Sequence, residues 1–252
     1  MMYQYMAYFS DPITTACAIL MRYRANMVHV ARIDKLSDDA KIPKETKKYM
    51  TNTENLFFTE KYDFYKGKEK TDFLFHIDKL KIKKGGLYVI KGENGSGKSM
   101  FLNLLFGNVK LSFSRGGFIL TDEMDEAAFL TYPIFTVDGD FMKNMYEIPI
   151  DKELMHLLQV DFSDKEILSN PVNLSYGQQQ KLALLRVFGL NSPILFLDEP
   201  LSNLDKKTQE NVVAYIRKLK GEKTILVVMH SDELDEAADS VIYIENKKLI
   251  QK

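Results

Sequence analysis

The run Gly92-Glu93-Asn94-Gly95-Ser96-Gly97-Lys98-Ser99 fits G-x-x-x-x-G-K-[ST], between an apolar stretch, Leu87-Tyr88-Val89-Ile90, and a helical one, Met100 to Phe106. Glycines at these spacings let successive backbone N–H groups turn inward on an anion. The helix that follows adds its positive end, and Lys98 supplies a mobile point charge. Ser99 puts a hydroxyl where Mg²⁺ would accompany a bound polyphosphate. The chemistry assembled here is the cradling of a nucleotide's phosphates. Farther along, Ile194-Leu195-Phe196-Leu197 runs without a polar residue into Asp198-Glu199-Pro200. That pattern predicts a buried parallel strand ending in two acids, at the sheet edge where ligands of open α/β folds sit. Asp198 would then partner Mg²⁺ through water, and Glu199 would polarise an attacking water as general base. A third apolar strand, Thr224 to Met229, ends in His230, placed to donate to a terminal phosphate or to hold the water. Taken singly, an acid pair or a histidine at a strand end is most simply a solvated terminus. Their common edge with the glycine loop makes Lys98, Glu199 and His230 candidate catalytic residues.

These residues need a sheet to position them, and the chain has the means. From Leu56 onward short apolar runs alternate with helical stretches, the pattern of an α/β domain with a largely parallel sheet. Strands are predicted over Phe73–Ile82, Leu87–Lys91, Phe118–Thr121, Ile194–Leu197, Thr224–Met229 and Val241–Glu245. Between about Gly139 and Leu190 helical periodicity takes over, as in Lys152 to Leu158, which predicts a helical insert. Residues 1–50 read differently. An aromatic and methionine run, Met1 to Phe9, precedes an apolar pattern at helical spacing from Ile13 to Leu36, and Lys41 to Met50 reads as a solvated linker.

Composition narrows the classes. The 252 residues are 45% hydrophobic and carry 34 Lys+Arg against 35 Asp+Glu, which disfavours disorder and offers no global positive field for nucleic acid. The single cysteine, Cys17, permits neither an intrachain disulfide nor a zinc cluster. No run approaches the roughly 18 apolar residues of a bilayer crossing, and no basic region precedes the first apolar stretch as in a signal peptide. The expectation is a cytoplasmic protein, free or docked.

Between insert and acids lies Leu174-Ser175-Tyr176-Gly177-Gln178-Gln179-Gln180-Lys181. This segment resembles the L-S-G-G-Q signature of the ATP-binding cassette (ABC) family, and other motifs follow in the family's order. Asp198-Glu199-Pro200 resembles the Walker B strand with its catalytic acid, Ser202-Asn203-Leu204-Asp205 the D-loop, and His230 the switch histidine. Phe64-Tyr65-Lys66-Gly67 resembles the aromatic loop that stacks on adenine, with Tyr65 the first choice and Tyr62 or Phe64 alternatives, beside a plain strand-packing role. The resemblance covers Leu56 to the C-terminus. It implies a P-loop NTPase core of mostly parallel sheet plus an antiparallel β subdomain, with a short helical subdomain and here an N-terminal helical extension. It implies ATP and Mg²⁺ as ligands. It further implies that Ser175, Gly177, Gln178 and Asp205 serve the ATP of a second cassette in a head-to-tail dimer. Ser175 also reads as a helix N-cap.

Departures stand out: Tyr132 where the family has a coupling glutamine, Tyr176 at the first glycine of the signature, and Met100 after Ser99. The stretch from Lys98 to Ser175 is short for the family, and no acidic exporter motif precedes Leu174. Phe9-Ser10-Asp11-Pro12 and Ala31-Arg32-Ile33-Asp34-Lys35-Leu36 resemble the junction between an exporter's membrane domain and its cassette, or simply form an extra packed helix. The leading expectation is a transporter's motor subunit at the cytoplasmic membrane face, partnered by a transmembrane domain and a second cassette. A soluble cassette ATPase acting on DNA or ribosomes lacks the expected coiled-coil insert or second cassette. A regulatory, weakly hydrolytic cassette is prompted by the two tyrosines and opposed by Glu199 and His230.

Overall fold

Three runs, Leu87–Lys91, Ile194–Asp198 and Thr224–Val228, are buried at every position. Only central strands covered on both faces sustain that. The computed structural model describes residues 48–49, 54–66, 72–106, 111–113, 119–120, 126–130, 132–146 and 148–252. The chain divides into two units, Met1–Lys44 and Glu45–Lys252, and all described residues belong to the second. The helix expected over 13–36, the two junction-like motifs and nearly all of the expected linker lie outside the described residues.

In chain order the strands are β1 (Lys48–Tyr49), β2 (Asn55–Lys66), β3 (Asp72–Lys83), β4 (Leu87–Lys91), β5 (Leu111–Phe113), β6 (Ile119–Leu120), β7 (Ala128–Leu130), β8 (Ile194–Asp198), β9 (Thr224–Val228), β10 (Ser240–Glu245) and β11 (Lys248–Gln251). The helices are α1 (Lys98–Phe106), α2 (Phe141–Asn144), α3 (Lys152–Leu157), α4 (Tyr176–Gly189) and α5 (Lys206–Leu219). Among the described residues all strands join one sheet in the order β1-β6-β2-β3-β11-β10-β4-β9-β8-β7, with β5 on β2. The block β10-β4-β9-β8-β7 is parallel throughout. The long β2–β3 hairpin is antiparallel. The β10–β11 hairpin joins the two parts, since β11 runs antiparallel to β10 and parallel to β3. The expected parallel core and antiparallel portion are both present, as one continuous sheet.

Register fixes the working edge. Ile90 lies opposite Val228, and Val228 opposite Asp198, so β4, β9 and β8 end at one level. Side chains alternate between two cores. Leu87, Val89, Leu195, Leu197, Ile225 and Val227 face the cluster closed by α4 and α5, and Tyr88, Ile90, Ile194, Phe196, Leu226 and Val228 face the one closed by α1 and β3. Phe196 lies edge-on to Phe106 and Phe129, with ring centroids 5.7 and 6.0 Å away.

The segment 139–190, expected as a helical insert, holds three helices and no named strand among its described residues. It holds the short α2 and α3, then turns with isolated bridges Gly139–Ile167 and Ser169–Val172, and regains a long helix only at α4. Pro149 and Pro171 interrupt the helical backbone, while Asp140, Asp151 and Ser175 each restart it by capping. Of the strand expected over 118–121, the described residues Ile119–Leu120 are a strand, β6.

Phe196→Ala removes a fully buried ring between three elements. It should lower unfolding free energy by about 3–5 kcal/mol, measured as the shift in a urea transition. A loss below about 1 kcal/mol would mean that the central strand is not packed in this way.

Candidate active site

β4 delivers the chain into the glycine loop, and two glycines there have no room for a side chain. At Gly92 (φ +154) a Cβ would sit 2.5 Å from the Ile244 carbonyl oxygen and 2.7 Å from Ser96 Oγ. At Gly97 (φ +100) it would sit 2.8 Å from the Phe75 ring. The loop is thereby pressed against β3 and β10 with its exposed arc, Glu93 to Gly95, facing outward. Lys98 opens α1 and is 6% exposed. Its Nζ donates to the carbonyls of Gly92 and Glu93, both at 3.0 Å, so the ammonium is held inside the loop it must serve. Ser96 Oγ is buried without a hydrogen-bond partner.

A cleft of about 880 Å³ runs along the loop, with Phe73, Phe75, Met100, Tyr243 and Lys247 among its walls. Phe73 and Phe75 are the aromatics of the β2–β3 hairpin that line it. Tyr65 does not line this cleft: it faces Phe73 edge-on across the hairpin, with ring centroids 5.6 Å apart. The strand-packing alternative for Tyr65 describes what the geometry contains.

The acids arrive from β8. Asp198 is 6% exposed, and burial pushes its carboxyl above the ordinary value of 3.8, as does the neighbouring Glu199 charge, against the opposing pull of the Ser99 hydroxyl bond and Lys98. Its Oδ1 is buried and unpartnered. Glu199 turns out of the strand with a left-handed backbone (φ +48), its N–H donating to the Val228 carbonyl at 3.2 Å. Its Oε1 lies 3.2 Å from His230 Nε2. Lys98, Ser99, Asp198, Glu199 and His230 therefore gather at the level where β4, β8 and β9 end.

A second group lies apart from the cleft. Ser175 caps α4, accepting from Gln178 N at 3.2 Å, while the Gln178 side chain accepts from Ser175 N at 3.2 Å. Gln178 Nε2 also donates to Asp161 at 3.3 Å. A Cβ on Gly177 would fall 2.7 Å from the Asn203 carbonyl oxygen, so this helix start packs on the loop after β8. Asp205 caps α5 through Thr208 N (3.0 Å) and Oγ1 (2.7 Å) and pairs with Lys181 of α4 at 3.6 Å. None of Ser175, Gly177, Gln178 or Asp205 lines the glycine-loop cleft.

Two arrangements escaped the sequence reading. Lys91, the last residue of β4, is 9% exposed and pairs with Asp232 and Asp235 just beyond His230. Burial alone would lower its ammonium's pKa, but the bonds to both carboxylates outweigh this and raise it. A lysine closing an otherwise apolar strand was the available signal. The other is Gln180, fully buried on α4, whose Nε2 donates to the Pro200 carbonyl at 2.9 Å and the Glu199 carbonyl at 3.4 Å.

With the loop, the paired acids and the capped α4 in place, comparison with known proteins becomes decisive. The family described as ABC transporter matches residues 75–202, half of the chain. This chain belongs to the ABC transporter family. A probable ABC transporter ATP-binding/permease protein of Haemophilus influenzae is 31% identical over 196 residues, covering 68% of this chain and 35% of that protein. The chain thus spans about a third of that relative. A probable sulfate/thiosulfate import ATP-binding protein of Chlorella vulgaris is 29% identical over 201 residues, covering 68% of this chain and 81% of that protein. A dimeric ATP-binding cassette structure, MJ0796 in a post-hydrolysis state with ADP and Pi, superposes with a TM-score of 0.61 at 22% identity, covering 78% of this chain and 97% of that one. That likeness shows the cassette fold. No helix among the described residues is long and apolar enough to cross a membrane.

The buried Asp198 of this cassette gives a pH prediction. Its folded pKa is raised, so the ionised form costs stability above that pKa, and the cost vanishes as pH falls below the unfolded value, where both states are protonated. Asp198→Asn should therefore melt higher than wild type at pH 7 without nucleotide, with the advantage shrinking toward pH 3. Thermal melts across that range check it, and a variant equally or less stable at pH 7 would contradict it.

Proposed function

We propose that this chain is the ATP-binding and ATP-hydrolysing subunit of an ABC transporter, driving transport through ATP-dependent head-to-tail dimerisation of cassettes. One observation carries the reading. A buried carboxylate bonded to Ser99 and an accessible Glu199–His230 pair stand at the same sheet edge as a lysine held within a glycine loop. Loop N–H groups from Gly92 to Ser99 take the phosphates, and Lys98 exchanges its two carbonyl partners for phosphate oxygens. The donor set suits Mg²⁺, which takes few protein ligands beside phosphate and water. Asp198 Oδ1 is a buried acceptor without a donor, and Ser99 is its hydroxyl neighbour. Ser99 and Asp198 would hold the ion, which offsets charge on the β- and γ-phosphates when bound.

Glu199 then accepts a proton from water as the water oxygen attacks the γ-phosphorus and the bond to the bridging oxygen of ADP breaks. His230 steadies Glu199 and faces the γ-phosphate. The adenine rests against Phe73, with Tyr65 packed edge-on against that ring. Ser175, Gly177, Gln178 and Asp205 serve the ATP of a second cassette. In their own chain they are occupied with helix capping and loop packing, which leaves the first N–H groups of α4 as the anion-facing surface. The partners in this reading are a transmembrane domain and a second cassette, with the chain working at the cytoplasmic face of the membrane. Support for such a partner comes from the relative named as an ATP-binding/permease protein.

Sizing with Mg-ATP and steady-state turnover test the reading in wild type and Glu199→Gln. The variant should dimerise with ATP and lose about 10²–10⁴-fold in kcat, while wild type turns ATP over and remains mostly monomeric. Both remaining monomeric, with ATP bound but unhydrolysed, would overturn the symmetric motor in favour of a regulatory cassette or one that needs a different partner.

A further inference from the structure

Where the family resemblance places a glutamine, this chain has Tyr132, and its hydroxyl enters a hydrogen-bond circuit that ends on the backbone of Glu199. The Tyr132 hydroxyl donates to Gln180 Oε1 and meets the Ser202 hydroxyl. Gln180 Nε2 donates to the carbonyls of Pro200 (2.9 Å) and Glu199 (3.4 Å), and Ser202 Oγ and N donate to the Glu199 carbonyl at 3.0 and 3.2 Å. The carbonyl of Glu199 thus collects three donors, at a residue whose φ of +48 is one that L residues keep only when their surroundings enforce it.

Counting hydrogens shows what the tyrosine adds. The Gln180 amide is buried and oriented by its N–H contacts, so its Oε1 can only accept, and Tyr132 supplies the donor. The Ser202 hydrogen then has two acceptors in reach, the Glu199 carbonyl and the Tyr132 oxygen. Burial, with the negative charges of Glu199 and Asp198, lifts the phenol above its ordinary value against the pull of the Ser202 and Asn203 hydrogen bonds, so it remains a donor at neutral pH. Gln180 lies on the helix that Ser175 caps, and Ser202 lies in the loop that Gly177 packs against.

We propose that Tyr132 is a positioning residue for hydrolysis, aiming the Glu199 carboxylate by fixing the Glu199–Ser202 backbone through Gln180 and Ser202. This rests on reading Glu199 as the base that activates water. The hydroxyl touches no reacting atom. It ties the carboxylate's aim to α4, so that the helix facing a second cassette's nucleotide and the base acting on this chain's nucleotide move as one body.

The test compares wild type with Tyr132→Phe, Ser202→Ala, their double variant and Ser202→Thr. Steady-state kinetics, thermal melts and hydrogen exchange over residues 199–204 are measured on the same samples. Tyr132→Phe should lower kcat about tenfold at unchanged KM for Mg-ATP, with only a small fall in melting temperature from the Gln180 oxygen left without its donor, and should speed exchange at 199–204. The double variant should be no slower than the slower single variant, because both break one circuit. Ser202→Thr, which keeps the hydroxyl, should restore most of the rate lost in Ser202→Ala. Tyr132→Phe with kcat within twofold of wild type and unaltered exchange would overturn the proposal. A kcat loss that tracks a large fall in melting temperature and a raised KM would reduce the tyrosine to a packing residue and overturn it equally. If wild type binds ATP without hydrolysing it, the hydrolytic reading fails, and exchange at 199–204 still decides whether Tyr132 holds that backbone.

Discussion

Everything at the candidate site depends on the register of three parallel strands. Ile90, Val228 and Asp198 lie abreast, so the glycine loop, His230 and the two acids leave the sheet within a residue or two of a common level. Strand side chains alternate faces, and a slip of one residue in β8 would turn Asp198 away from Ser99 and drive the next apolar residue out of its core. The fully apolar runs in β8 and β9 are packed on both faces, and that double burial pins the register. Site geometry is in this sense a by-product of core packing. The acids stand where they do because Ile194, Leu195, Phe196 and Leu197 each have a place to go.

Around that frame the charged groups divide by what holds them. Lys98 and Asp198 are nearly inaccessible, yet Lys98 is satisfied by its own loop while Asp198 keeps an unpartnered oxygen. A buried acceptor without a donor is costly, and that cost is tolerable where a ligand relieves it. Lys91 is the opposite case. It carries two carboxylates from the segment after His230 and so fastens the histidine's loop to the strand that leads into the glycine loop.

Sequence patterns revealed the parts governed by local chemistry. The glycine loop, the strand from Ile194 and the strand from Thr224 are continuous motifs whose burial and turn chemistry are written in neighbouring residues, and the structure has them where they were expected. The hairpin strand β2 was missed because Glu60, Lys61 and Asp63 break its alternation, and two bulges shift its pairing with β3. The insert's helices were legible in part, as in Lys152 to Leu158, but their breaks at Pro149 and Pro171 and their capped restarts are not shown by periodicity. Which aromatic lines the cleft was likewise hidden, since Tyr65 and Phe73 face each other across the hairpin and only register decides which one reaches the loop.

The Tyr132 circuit belongs to what no single sequence can display, because its members come from β7's exit, α4 and the loop after β8. From sequence the tyrosine reads as a departure, standing where the family resemblance has a coupling glutamine. In the fold it is an alternative connection. A glutamine offers both a donor and an acceptor, whereas a phenol offers one hydrogen and lone pairs, so the rest of the circuit must supply what is missing. Gln180, with its amide aimed at two backbone carbonyls, and Ser202, with a hydroxyl that has two acceptors in reach, supply it. The cost of that exchange is dependence on buried geometry. A side chain that must donate to one fixed oxygen tolerates less movement of α4 than one that can flip its amide, so in the proposed circuit Glu199 and α4 are held more stiffly together than their separation in sequence suggests.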